Sequence, residues 1–412
     1  MALTPNHGTR IIDAGDTERP ILIADQSPAG IVLPASNADA SVFPLNEPVH
    51  FFTNDAAKLE ALGIDNPASQ AVAALLRQGI TASVVFVRVE EGADLETTVS
   101  NIVGDAAAKT GVHALRHARG HTGVEPGLLF SPGFTSQRIG GQKNPVMAEL
   151  GSVAADLKSI AIGDCPRTSN QEAFQYRADF SDRYTYLIEP GVTVFEAGET
   201  VVQPASAYAA GLFMKRDAQR GGPYFSPSNQ AILGITGTSR PISYFDGEIN
   251  HDANFLNNAG INTIIPSTTI QSATGAVASN GTILWGSETT SADPLWRFVN
   301  VVRTRATIEK AVVRAMRPFI DGNIRAQQIV AVQRSLQIFL DQLTAVGAIL
   351  GGRAEFQKAL NSGQALRSGT VRIEMIAEEA PPLNDLIIGS RRDAVYFDIL
   401  VNDILAEIGQ AA

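Results

Sequence analysis

Cys165 is the only cysteine in the chain, so no intrachain disulfide can form and no thiolate zinc site is available. Such a chain suits a reducing cytoplasm. Positive charge is also in short supply: 32 Lys and Arg stand against 42 Asp and Glu, for a net charge of −10. Phosphate-rich surfaces repel a chain of this sign, which argues against general binding of nucleic acid or anionic membranes. No apolar run approaches the ~20 residues that a membrane span requires, and the N-terminus carries no charged-then-apolar leader. Neither secretion nor membrane insertion is expected. Nucleotide signatures are missing too: there is no G-x-x-x-x-G-K-S/T, and no G-x-G-x-x-G between a strand and a helix. Nothing in the sequence calls for a cofactor.

What is present is ordinary globular material. The 412 residues are enough for two or three domains, with 44% apolar and 18% charged residues. Thirty-six Gly and 21 Pro imply a chain that turns often. Between about 125 and 290, strand-like runs ("GLLFSPG", "SIAIGD", "YTYLIEPGVTVF", "INTIIPS", "TILWGS") alternate with helix-like runs ("NPVMAELGSVAADLK", "NQEAFQYRADF", "ASAYAAGLFMKRD"). That alternation predicts an α/β domain with a largely parallel sheet. Upstream, "NPASQAVAALLRQG" reads as a helix and "TASVVFVRVE" as a strand. From 294 two long helices follow, and in the first Val299, Val302, Ala306, Val313, Met316 and Ile320 share one face. A strand in "GTVRIEMIAEEAPP" comes next. At the end, "DAVYFDILV" alternates, with Val395, Phe397, Ile399 and Val401 on one side, which predicts a strand needing a sheet to join.

"GITGTSRPIS" (234–243) presents a serine as subtilisin-type proteases do, so Ser239 and His121 are candidate nucleophile and base. The acid is the weak point. Glu90, Glu91 and Asp94 do not stand directly after an apolar strand and before Ser/Thr-Gly, and Asp13 sits in an apparent terminal arm. "GHTGV" also lacks the helix that follows such a histidine, and a glycine-rich turn explains "GITGTS" without chemistry. His113, His117 and His121, spaced by four, raise a metal site, but Arg116 and Arg119 would repel a cation. The clearest charge feature is residues 295–334. Eight Lys and Arg face only Glu309 and Asp321, which is +6 here and leaves −16 elsewhere. Arg303, Lys310, Arg314 and Arg317 line one helix face, as a solvated surface or as a docking surface for an acidic partner.

Several stretches, in order and over nearly the whole chain, resemble the tail sheath proteins of contractile-tailed bacteriophages. They are "FPLNEPV" (43–49), "VQPASAYAAGLFMKRDAQRGGPYFSPSNQAILGITG" (203–237), "LNNAGINTI" (256–264), "GTILWGSETTSADPLWRFVNVVRT" (281–304) and "PPLNDL" (381–386). The resemblance implies an α/β (α+β overall) fold: a subtilisin-like α/β sheath core without a catalytic triad, a helical C-terminal domain, and extended N- and C-terminal arms. The boundaries expected are a strand-donating arm at 1–23, a region at 24–124 with a small inserted domain at about 48–100, the core at 125–290, a tube-facing domain at 291–390, and a second arm at 391–412.

The function implied is structural and non-enzymatic. Subunits would stack as sixfold rings around a tail tube protein, between baseplate and tail-terminator proteins, and contract to drive the tube through the host envelope. Assembly would take place in the bacterial host cytoplasm, and the product would be part of the virion tail. Arm strands carrying Ile11, Ile12, Val395, Phe397, Ile399 and Val401 would pair with sheets of neighbouring copies. Arg303, Lys310, Arg314 and Arg317 would dock on the tube. Alternatives are the sheath of a headless injection device such as an R-type bacteriocin and, from another class, a subtilisin-like serine peptidase. A small-molecule-binding α/β domain is disfavoured by the arms.

Overall fold

The computed structural model describes residues 21, 25–266, 270–271, 277–278 and 281–410. Ile11 and Ile12 lie outside the described residues. The chain divides into two units, Met1–Pro381 and Pro382–Ala412.

At the centre of the first unit six strands form one sheet: β1 (Ala29–Pro34), β2 (Pro48–Phe52), β3 (Ser83–Val89), β4 (Leu128–Phe130), β5 (Ile160–Asp164) and β6 (Thr185–Ile188). Their order is β2-β3-β1-β4-β5-β6, with β2 antiparallel at one edge and the rest parallel. The composition explains the arrangement. "AGIVLP" and "SVVFVRV" are nearly unbroken apolar runs, which suit strands covered on both faces, and β1 is buried along its whole length.

Helices supply the two covers. Leu75 of the Pro67–Arg77 helix and Tyr208 and Phe213 of the Ser206–Arg220 helix pack on one face. Val99, Leu115, Met147 and Tyr176 pack on the other. Each such side chain contributes about 1.5–3 kcal/mol on full burial, so these layers are the main support of the unit. Local chemistry starts the helices where the sequence suggests. Asn66 and Ser69 form a reciprocal capping box with Pro67 in the first turn, and Asn144 caps the helix that begins at Pro145. The Pro145–Leu157 helix lies so close to β5 that a Cβ on Gly163 would sit 2.2 Å from Met147 Sδ. A valine there would force the Met147 side chain out of its place between helix and sheet.

The expected boundary at 124/125 and the inserted domain at about 48–100 do not correspond to separate bodies. β2 and β3 belong to the same sheet as β4, β5 and β6, so both boundaries cut through one continuous layer. The sequence hid this because parallel strands that neighbour in space are far apart in the chain.

A third apolar cluster lies towards the end of the unit. Ile308 and Ala311 of the Val299–Met316 helix meet Leu336, Phe339, Leu340 and Leu343 of the Ala326–Ala345 helix, together with Ile349 and Ala354. The latter two lie on the strand Ile349–Glu355, which pairs antiparallel with Glu374–Glu379. The helix expected from 294 starts five residues later, after a short 3-10 turn at Pro294–Trp296. Val299, Val302 and Ala306 are buried as expected, but Val313 (69%) and Ile320 (68%) are exposed.

The second unit carries one regular element among the described residues, the helix Val395–Gln410, and every residue of it is exposed. This corrects the strand expected over 393–401. The sequence carries two periods at once. Val395, Phe397, Ile399 and Val401 alternate, whereas Phe397, Val401, Ile404 and Ile408 recur at helical spacing. A strand takes its hydrogen bonds from another strand, while a helix satisfies its own backbone. Within a single chain the helical period wins.

Candidate functional site

The carboxyl ends of parallel strands are where open α/β sheets place their chemistry, so the protease residues are tested there. Ser239 N–H donates to Gly191 O at 2.9 Å, which fixes the "GITGTS" turn beside the strand Val192–Glu196. Ser239 Oγ is buried and has no hydrogen-bond partner among the described residues, so no base holds it. His121 is an exposed residue in the five-residue helix Ala118–Thr122. The buried acids at this edge are otherwise engaged. Asp164 Oδ2 accepts from Ser206 Oγ at 2.6 Å and Oδ1 from Ser206 N–H at 2.9 Å, tying β5 to the start of the Ser206–Arg220 helix. Burial pushes the Asp164 carboxyl up, and the Ser206 bonds and Arg167 oppose this. Glu189 accepts from Arg240 Nε at 2.8 Å and from Arg167 N–H at 2.9 Å; burial raises it as well, against Arg240.

The histidine trio does not converge. His113 is buried, with Nε2 3.6 Å from Glu149 and Nδ1 3.1 Å from Arg116, and it lies in the 3-10 helix Gly111–His117, where residues four apart do not stack. Among the described residues no group of three His, Cys, Asp or Glu side chains could hold a metal. Cys165 is buried, and burial pushes its thiol well up, first by desolvation and then by Glu189 and Asp164.

The basic face of the Val299–Met316 helix does form, but its first part faces inward, and exposure rises from Arg303 to Arg314. Residues Val299–Thr304 are all buried, so the first turns of the helix run through the interior. Arg303, 2% exposed, makes a bidentate pair with Asp217, at 2.8 Å from Nη1 and 2.5 Å from Nη2, under a ring contact with Phe213. Its Nη2 also donates to Gln26 O at 3.2 Å. Lys310 reaches Glu125 at 2.9 Å, and Arg314 meets the same carboxylate at 3.5 Å. Burial pushes the Glu125 carboxyl up, but Lys310, Arg314 and Arg119 outweigh it and hold the group below its ordinary value. Lys310 is pushed down, first by burial and then by its neighbours Arg314 and Lys158, because one acid serves several cations.

Other members of the basic stretch are engaged in the same way. Arg297 pairs with Glu288 at 2.6 Å, and Arg305 with Glu379 at 2.6 Å. Of the four residues expected on a docking surface, Arg303 is sealed inside and Lys310 and Arg314 are engaged by Glu125. Arg317 alone of the four is exposed without an ion pair among the described residues. Sequence reading missed the partners because they are remote in the chain. The one available signal was Asp217, the single acid that closes "SAYAAGLFMKRD" after its apolar and small-residue run.

Large apolar side chains also remain open to contact. Leu383 (79%), Ile387 (86%), Tyr396, Phe397 and Leu405 stand exposed in the second unit. In the first unit the pair Ile349–Glu355 and Glu374–Glu379 is a two-stranded sheet, with Leu350 and Ile376 exposed. A sheet of two strands is marginal without further strands.

Residues 107–271 match the family model described as the phage tail sheath protein central domain. A prophage major tail sheath protein of Pseudomonas aeruginosa (strain UCBPP-PA14) is 32% identical over 91% of this chain and 93% of its own length. The tail sheath protein of Escherichia phage P2 is 29% identical over 97% and 98%. Two solved structures share the fold. The contracted sheath complex of an extracellular contractile injection system, PVC, has a TM-score of 0.68 at 16% identity, covering 96% of this chain and 100% of that one. The contracted helical sheath of the anti-feeding prophage has 0.67 at 19%, covering 95% and 100%. The chain belongs to the phage tail sheath protein family.

Proposed function

We propose that the chain is a non-enzymatic building block that polymerises around a tail tube and, on contraction, drives the tube through a bacterial envelope. The observation that carries this reading is the apolar surface of the Pro382–Ala412 unit, which a lone subunit leaves in water. Contacts of a segment with a different surface on the next copy are heterologous, and where they do not close they generate a helical tube. Sixfold rings stacked in this way, assembled in the host cytoplasm and finished by baseplate and terminator proteins, form the tail of a virion.

The two-stranded sheet Ile349–Glu355/Glu374–Glu379 is the natural acceptor for arm strands. It offers open edges, and strands from the arms of neighbouring copies would complete it. On docking, the 395–401 segment would exchange its helical hydrogen bonds for ladder bonds, placing Val395, Phe397, Ile399 and Val401 on one face. Ile11 and Ile12 would act likewise in the N-terminal arm. The parallel core is a subtilisin-like scaffold used without its chemistry, and fold alone confers no activity. Energy for contraction comes from added contacts between subunits in the contracted state, summed over many copies. Tube docking falls to the free end of the helical domain, where Arg317 and Arg325 are exposed and only Asp321 opposes them in the 317–325 turn.

Negative-stain microscopy of the purified chain tests the reading. Long hollow tubes are expected, and deletion of 391–412 removes them. Compact monomers of the full chain, at every salt concentration tried, overturn it.

A further inference from the structure

Beyond the arms and the tube surface, the first unit holds a recess that the sheath reading leaves unused. It has a volume of about 250 Å³ and opens at the carboxyl edge of the central sheet, where the loop after β4 (Pro132–Phe134) and Arg167, three residues beyond β5, face Gln203 and Tyr208. Its wall is apolar apart from a few groups, and Arg167 is its sole charged lining residue.

Three features set Arg167 apart. Among the described residues its guanidinium donates no hydrogen bond and makes no ion pair; it acts on Asp164 only at longer range, the hydrogen bonds of Asp164 coming from Ser206, while Glu189 is paired with Arg240 and Glu196 with Arg77. Its backbone is left-handed, with φ at 68°, a conformation that a long side chain rarely adopts. That conformation is held by its own N–H donating to the fully buried Glu189 at 2.9 Å, which anchors the backbone from which the side chain reaches the recess wall. Opposite, Tyr208 O–H donates to Gln203 Oε1 at 2.7 Å, and Gln203 Nε2 to Glu196 at 3.0 Å, which fixes that wall too.

The recess adjoins a strand that is at a sheet edge among the described residues. Val202 and Gln203 end the strand Glu199–Gln203, which is the outer strand of the small sheet built on Val192–Glu196 and Gly237–Thr238. A recess of this size is below the usual ~300–1,000 Å³ of small-molecule sites and suits a single side chain better than a free metabolite. We infer that this edge and recess bind an extended polypeptide segment of a partner protein, pairing with Glu199–Gln203 and placing an acidic side chain against Arg167. Strand pairing supplies affinity and the charged recess supplies selection.

The test uses fluorescence anisotropy of the purified full chain with a fluorescein-labelled Val-Thr-Glu-Thr-Val peptide. The controls are a Gln-for-Glu peptide, a backbone N-methylated peptide, and free N-acetylglutamate as competitor. The Glu peptide binds the unaltered chain, and each of three changes weakens binding about tenfold or more: the Gln peptide, N-methylation, and Arg167→Gln; Arg167→Lys retains most of it. Far-UV circular dichroism confirms that both variants are folded. Equal binding of the Glu and Gln peptides, or an unchanged Arg167→Gln, overturns the charge assignment. N-acetylglutamate competing as well as the peptide makes the site one for small carboxylates and overturns the strand pairing. No binding to the unaltered chain at ~1 mM peptide overturns the proposal outright.

Discussion

Two helices of this chain invert the usual rule of charges outside and apolar groups inside. The Val299–Met316 helix takes Arg303 and Lys310 into the interior, where Asp217 and Glu125 meet them. The Val395–Gln410 helix holds Phe397, Leu400, Leu405 and Ile408 in the open. The first bears the desolvation of charges, and ion pairing offsets it within one molecule. The second leaves about 0.8 kcal/mol per exposed CH₂ unrealised until something covers it. One helix holds the C-terminal cluster to the sheet; the other is unfinished without a further surface. Each substitution below asks whether a helix serves the subunit or the assembly.

The largest effect on the isolated subunit is expected at Arg303. Arg303→Ala leaves Asp217 buried and unpaired and should cost about 3–5 kcal/mol, measured by urea denaturation. The double change Arg303→Met with Asp217→Leu sharpens the point. It should recover most of that loss, since apolar replacement of a buried pair is often neutral or better. If the double variant is as unstable as the single one, packing around Phe213 rather than charge is the cause.

Next comes Glu125, which serves Lys310 and Arg314 together. Glu125→Gln should cost about 2 kcal/mol, as for lost hydrogen bonds to charged groups. Its pH dependence has a definite sign. The folded-state carboxyl is held below its ordinary value, so its contribution is complete above the unfolded-state value and fades as pH falls through the folded-state one. Stability of the unaltered chain should therefore drop on acidification through the carboxylate range, and the Glu125→Gln variant should drop less over the same interval. Equal slopes would remove Glu125 from the account.

Much of this fold was legible in the sequence, and the reasons are local. β3, β5 and the helix starts at Pro67 and Pro145 follow from unbroken apolar runs and from Asn-Pro caps, which act within a few residues. The strand Ile349–Glu355 was not legible, because Gly351 and Gly352 read as a turn. The fate of the basic face was legible only in part. Spacing put Arg303, Lys310, Arg314 and Arg317 on one face, but periodicity cannot say whether a face meets water or acids such as Asp217 and Glu125. The C-terminal segment fails differently, since its alternating and helical periods coexist and the choice depends on a partner outside the chain.

The smallest effect on the subunit should come from that segment, and it is the most telling. Phe397→Asp with Ile399→Asp alters two exposed residues of the single chain, so urea denaturation should shift by no more than about 0.5 kcal/mol. Assembly should respond in the opposite sense. Both side chains fall on the face that a docked strand would bury, and two carboxylates there would each have to lose water without a partner. Tubes of sheath should be absent by negative-stain microscopy, although the subunit is as stable as before. A control at Leu400→Asp, on the opposite face of the alternating period, should be tolerated better if the segment docks extended. If it docks as a helix, Leu400 lies beside Phe397 and Ile404 on one surface, and its substitution should be as damaging as the pair. The single and double variants thus separate a strand-donating arm from a helix-docking one, which the two coexisting periods of the sequence leave open.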